Sequence, residues 1–227
     1  GTYERHLTSL CAALRKLEKF GFFLRIEKCK LFLREVEFCG HRLTGGTRQA
    51  GTGKTAAIRL WPTPKSIKEV RAFLGLTGYY ACYVRDYADK AAVLSDLLLK
   101  NGENFKWGSA EENAFQQLKT AVLEEVTLQI CDPSKPFVLR VDTSARAIGA
   151  VLEQHSPEGE LRPVAFYSRK LASRQRSWAP RESEMYGVCM SLAKFATWIG
   201  SQKVTVLTDH NALQWWHQEN LDTPSGP

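Results

Sequence analysis

The chain has 227 residues, 44% of them hydrophobic and 24% charged, enough apolar surface to build a core and too much for a fully disordered chain. No window approaches the roughly 18 consecutive apolar residues of a membrane-spanning helix, and the opening GTYERHLTSL has no signal-peptide core, so an intracellular location with no membrane partner is expected. The net charge is +7, and all of it lies in residues 1–60, which hold 12 basic and 5 acidic side chains. That imbalance fits a surface facing a polyanion, and it fits equally a solvated helix face rich in Lys and Arg.

In chain order, Leu7, Leu10, Leu14 and Leu17 recur at helical spacing over residues 3–20, and Gly21 follows as a C-cap. Apolar and charged residues then alternate in two runs, 22–28 and 30–38, which predicts a pair of strands with one basic face. TGGTRQAGTGKT reads as a loop. Its GTGKT stretch (Gly51 to Thr55) lacks the earlier glycine of a phosphate-binding loop, because Arg48 stands there. Ser66 with Glu69 makes a capping box for a helix lined by Val70, Phe73, Leu74 and Thr77. Helical pattern continues from Tyr79 to Leu99, and Ser109 with Glu112 predicts a second box ahead of Phe115, Leu118 and Val122.

Near residue 127 the pattern changes. PFVLRVDTS, AIGAVLEQ and RPVAFYSRK predict three strands, residues 182–199 a long helix, and KVTVLTDH a fourth strand followed by a short helix through Trp216. This order indicates an α+β or α/β sheet domain. The six cysteines show no C-x-x-C spacing and read as small buried hydrophobes in a reducing compartment, without a disulfide framework.

Three acids stand at element ends. Asp142 closes VLRVD, Glu184 lies early in the long helix, and Asp209 closes VTVLTD. Asp is disfavoured in strands, so two strand-terminal aspartates and a helix glutamate can converge on one sheet rim. Three close carboxylates need cations to offset their repulsion, and hard oxygen ligands favour Mg²⁺ or Mn²⁺. A pair of ions about 4 Å apart would clamp both oxygens of a phosphodiester displacement. A local alternative remains open, in which Asp142 starts an Asx turn and Asp209 caps the helix at His210.

RVDTSARAIGAVLEQ, RPVAFYSRKL and RESEMYGVCMSLAKFATWIGSQKVTVLTDHNALQWW together resemble the ribonuclease H domain of Ty3/gypsy-type LTR-retrotransposon polyproteins. Upstream, KFGFFLRIEKCKLFLREVEFCGHRLT resembles the end of a reverse-transcriptase palm, and IRLWPTPKSIKEVRAFLGLTGYYACYVRDYADKAAVLSDLLLK the thumb and connection. The resemblance implies a palm end over residues 1–43, a helical thumb or connection over 44–126, and an incomplete ribonuclease H-like mixed sheet with flanking helices over 127–227.

It further implies that Asp142, Glu184 and Asp209 are the catalytic, metal-holding acids, with Glu184 preferred over Glu182 because it directly precedes the apolar helix stretch. The implied cofactor is Mg²⁺ or Mn²⁺, the substrate the RNA strand of an RNA–DNA hybrid, and the partner the rest of a polymerase polyprotein. The hybrid would be sensed through its groove and 2′-hydroxyls. Thr143 and Ser144 are candidate phosphate contacts or plain turn residues, and His210 is expected to tune or pack rather than ligate. Lys16, Lys19, Arg25, Lys28, Lys30 and Arg34 are candidate primer-template contacts, which would make binding steeply salt-dependent. Trp61, Trp215 and Trp216 read either as base-stacking platforms or as buried anchors.

The sequence departs from the family pattern twice. Asp222 comes too soon to be the fourth acid expected from a later helix. The paired polymerase aspartates of a Tyr-x-Asp-Asp turn are absent, the nearest lookalike being Tyr87-Ala88-Asp89-Lys90, so no DNA polymerisation by this chain alone is expected. A binding module without turnover is the alternative reading. An integrase-like transferase fits less well, given the thumb-like segment upstream.

Overall fold

The first helix, α1 (Tyr3–Lys19), ends as its glycine requires. Gly21 has φ +74°, and Gly21 and Phe22 donate their N–H groups to the carbonyls of Glu18 and Leu17, closing a Schellman turn. The computed structural model describes residues 3–99, 105–124 and 126–208. These fall into two compact units, Gly1–Arg34 and the chain from Glu35 onward. The expected segment borders at 43 and 126 both lie within the second unit.

In the first unit α1 buries none of its residues, and Tyr3 stacks on Phe32 at 5.3 Å between ring centres. The strand pair expected over residues 22–38 does not form. A 3₁₀ turn at Ile26–Lys28 interrupts the first run, and only β1 (Glu35–Phe38), at the end of the second run, is a strand. Alternation makes a strand only where a neighbour accepts its backbone hydrogen bonds, and residues 22–34 have none among the described residues.

β1 pairs with the segment just after it, and the next strand forms in a stretch that the sequence presents as a loop. β2 (His41–Thr44) and β3 (Thr47–Ala50) complete a meander, joined by the two-residue turns Cys39-Gly40 and Gly45-Gly46. All four turn residues have positive φ, between 50° and 83°, the geometry of type I′ hairpins. A fourth strand, β4 (Leu128–Gln129), pairs with β3 from far along the chain. Gly51 opens α2 (Thr52–Arg59), so the GTGKT stretch belongs to a helix start.

Between β3 and β4 lies a helical layer. It comprises α2, α3 (Ile67–Tyr79), a 3₁₀ turn at Ala81–Tyr83, α4 (Tyr87–Lys90), α5 (Ala92–Leu99) and α6 (Ser109–Leu123). Ile58, Val70, Phe73, Leu94, Phe115 and Leu118 are its fully buried centre, and Trp61 packs against them as an anchor. Ser66 caps α3 as expected, accepting from the Glu69 amide at 3.3 Å. The α6 box is shifted by one residue from Ser109/Glu112. Glu111 accepts from the Gly108 amide, while Glu112 accepts from the Trp107 indole at 2.8 Å.

The second sheet carries the candidate site. β5 (Phe137–Thr143), β6 (Ala147–His155) and β7 (Leu161–Lys170) run antiparallel, and β8 (Val204–Leu207) lies parallel to β5, giving the order β7-β6-β5-β8. α7 (Pro180–Ile199) covers one face. Leu139, Val141, Ile148 and Leu152 are buried with Val188, Phe195 and Ile199 of the helix. All six cysteines are free thiols, but Cys39 and Cys189 are exposed and the other four only half-buried, which corrects the buried reading.

Candidate nuclease site

β5 alternates strictly. Phe137, Leu139 and Val141 face the α7 side and are buried, whereas Arg140 and Asp142 are exposed. Asp142 therefore stands in solvent one residue before the end of its strand, paired across to Gly149. The turn that follows is held by Ser144. Its hydroxyl accepts from the amides of Arg146 and Ala147 at 3.2 and 3.0 Å and donates to the Ala147 carbonyl. Of the two candidate phosphate contacts, Ser144 thus has its hydroxyl engaged in the turn. Thr143 has its hydroxyl buried, with no hydrogen-bond partner among the described residues, 2.6 Å from where a Cβ on Gly187 would stand.

Two glutamates at the start of α7 separate by role. Glu182, at the third helical position, reaches back to the Ala179 amide at 3.1 Å and caps the helix. Glu184 is only 6% exposed. One of its carboxylate oxygens accepts from the Thr143 amide at 3.2 Å, and the other from the Thr208 hydroxyl at 3.3 Å. A buried carboxylate is stable only when hydrogen-bonded or paired. Here its donors come from the residue that follows Asp142 and the residue that precedes Asp209. Asp209 itself, with His210, Trp215, Trp216 and Asp222, lies outside the described residues.

Gly187 is what lets α7 approach this closely. A Cβ there would also stand 3.2 Å from Val141 Cγ1. A glycine inside a helical pattern signals close packing, and a glycine inside a strand signals close backbone approach. Both cues were present at Gly187 and Gly149. No cue in the sequence marks Asp86, whose carboxylate lies 2.8 Å from where a Cβ on Gly149 would stand. Asp86 sits at φ +54° just before α4. Burial, then Asp86, raises the Asp89 carboxyl above the ordinary range; Arg146 and Lys90 oppose this, and Asp142 adds to it.

Asp142 also lines an open cavity of about 520 Å³ on the face of the sheet away from α7. Among the described residues no three His, Cys, Asp or Glu side chains are grouped to hold a metal ion. The six early basic residues, Lys16, Lys19, Arg25, Lys28, Lys30 and Arg34, are all exposed, and all belong to the first unit.

Residues 107–206 match a family described as the RNase H-like domain found in reverse transcriptase. The chain carries a reverse-transcriptase RNase H-like domain. Its homologues are retrotransposon Pol polyproteins. It is 32% identical over 219 residues to the Retrovirus-related Pol polyprotein from transposon 297 of Drosophila melanogaster, covering 96% of this chain and 20% of that protein. To the corresponding polyprotein from transposon gypsy of the same organism it is 31% identical over 222 residues, covering 92% of this chain and 21% of the relative. The chain thus spans about a fifth of the length of these relatives.

The fold of this chain is similar to that of a foamy viral protease-reverse transcriptase solved in complex with RNA/DNA hybrid. The TM-score is 0.79 at 21% identity, over 100% of this chain and 31% of that one. No described helix is long and apolar enough to cross a membrane.

Proposed function

We propose that this chain is the part of a retroelement polymerase that hydrolyses the RNA strand of RNA–DNA hybrids, leaving a 3′-hydroxyl. In the parent polyprotein that activity would be coupled to RNA-directed DNA synthesis. The observation that carries the reading is the Glu184 carboxylate, which joins the ends of β5 and β8 through Thr143 and Thr208. That link draws the chain next to Asp142 and the chain next to Asp209 to one buried acid.

Asp142, Glu184 and Asp209 would hold the divalent ions. Carboxylates alone suit hard cations such as Mg²⁺ or Mn²⁺ better than zinc or copper. When bound, such ions supply Lewis-acid stabilisation of the phosphodiester and a more acidic water. The protein's own part is orientation. Buried Leu139 and Val141 fix the strand that carries Asp142, and Gly187 fixes the helix that carries Glu184. The early basic residues would contact primer-template phosphates, and the foamy viral neighbour's complex with RNA/DNA hybrid supports a hybrid as ligand.

The test is cleavage of a labelled RNA–DNA hybrid in Mg²⁺. Wild type should cut the RNA strand, and Asp142→Asn should lose at least about a hundredfold in rate, because it weakens the hold on ions that would stabilise developing charge. Equal rates would reject the reading. A second reading is binding without turnover. It is favoured by the engagement of both Glu184 oxygens with protein donors. Salt-sensitive hybrid binding with no metal-dependent cutting would decide for it.

A further inference from the structure

We propose that Arg85 and Arg140 hold a backbone phosphate of the nucleic acid beside Asp142, so that the helical segment upstream of the sheet contributes directly to the candidate site. The inference rests on the hybrid-binding reading above and adds a phosphate subsite to it. The two arginines line the 520 Å³ cavity together with Asp86, Asp142, Leu207 and Thr208. They come from different elements. Arg140 stands on β5 two residues before Asp142, and Arg85 lies between the 3₁₀ turn at Ala81–Tyr83 and α4.

Neither arginine is used up by the protein. Arg140 donates through Nε to Glu153 at 2.6 Å, which fixes its plane; a guanidinium carries five N–H donors, so its outer edge remains for a second anion. The Arg85 guanidinium makes no hydrogen bond or ion pair with the described residues, and the residue is exposed. An arginine kept only for solubility needs no fixed backbone, yet the backbone here is held at several points. Lys90 Nζ donates to the Arg85 carbonyl at 2.8 Å, and the Ala88 amide donates to the Ser168 hydroxyl on β7 at 2.6 Å. Asp86 adopts a left-handed conformation and fits over the sheet only because residue 149 has no Cβ.

The charges also select the kind of ligand. Asp86 and Asp142 line the same cavity, so a bare anion would meet repulsion as well as attraction. A phosphodiester presents one delocalised charge between two sugars. Its oxygens can face the arginines, while ribose hydroxyls can donate to a carboxylate. A fork of N–H groups matches phosphate geometry better than an ammonium does.

The experiment measures binding of a fluorescent RNA–DNA hybrid to the 227-residue chain by anisotropy, in EDTA so that no cutting occurs, over a range of KCl concentrations. Arg85→Ala should weaken binding about tenfold at low salt and reduce the slope of log affinity against log salt by about 0.9, the loss of one phosphate contact. Arg85→Lys should recover the slope and only part of the affinity. Lys65→Ala, an exposed change outside the cavity, should match wild type. Should Arg85→Ala fail to fold, the unaltered chain answers instead, because bound hybrid should protect Arg85 from phenylglyoxal. Affinity and slope unchanged in Arg85→Ala, or no protection in wild type, would overturn the subsite. Hybrid cutting that depends on Asp142 while Arg85→Ala binds normally would remove this inference alone. The Arg85 slope effect without any cutting would leave it standing and remove turnover.

Discussion

Residues 22–34 and residues 137–155 carry the same kind of alternating pattern, and only the second is a sheet. In the first, Phe23 is 97% exposed and Ile26 81%, and no partner strand lies alongside among the described residues. In the second, Leu139, Ile148 and Leu152 are fully buried, and β5 is paired on both sides. A period-2 pattern states which face would be buried if a sheet existed. It does not supply the neighbours or the covering helix that make burial stabilising.

The contrast can be broken most strongly at Leu139. Leu139→Ala removes a buried side chain between sheet and helix and should cost about 2–5 kcal/mol, read as a lower urea midpoint. Next comes Gly187→Ala, whose new Cβ meets Thr143 Oγ1 and Val141 Cγ1. Overpacking of that kind should cost about 1–3 kcal/mol, and adding Thr143→Ala should recover part of it in a double-mutant cycle. If the pair is strictly additive, the contact between α7 and the end of β5 has been misjudged. Ser144→Ala removes the hydroxyl that closes the β5–β6 turn and should cost about 1 kcal/mol in thermal or urea unfolding.

A smaller effect tests the one part of the alternating basic segment that did become a strand. β1 pairs with β2, which opens on His41, and the His41 ring meets the hydroxyls of Tyr83 and Tyr79 at 2.8 and 3.1 Å. Burial first, then Arg48 and Lys54, lower its pKa below the ordinary value of 6.5. The folded ring therefore takes up a proton at lower pH than the unfolded ring does. Its contribution is complete above pH 6.5 and is lost as pH falls through the lower folded value. Urea midpoints measured from pH 7.5 down to 5 should drop more for wild type than for His41→Gln; parallel curves would contradict this. Smallest of all, Phe23→Ala should change the stability of the described fold by no more than about 0.5 kcal/mol.

Much of the candidate site was legible because its signals are local. Asp142 and Glu184 stood out as charges at the ends of apolar patterns, and the structure brings Glu184 against the residue after Asp142. The distinction between Glu182 and Glu184 follows from helix position: one caps, the other is buried. Asp86 and Arg85 were not legible, since nothing near residue 85 announces a sheet more than fifty residues onward. The hairpins over residues 35–50 were half legible. Gly45-Gly46 is a turn signal and β1 closes an alternating run, but β2 and β3 are too short for alternation to mark them.

The sequence by itself determined the capped start of α3, the alternation of β5 and the exposed Asp142 near its end, because each depends on residues a few positions apart. Tertiary structure decided which alternating runs found partners, that β4 returns to β3, and that Asp86 reaches Gly149. Those outcomes depend on surfaces meeting across long stretches of chain, where burial and hydrogen bonding are settled by the neighbour rather than by the residue's own spacing.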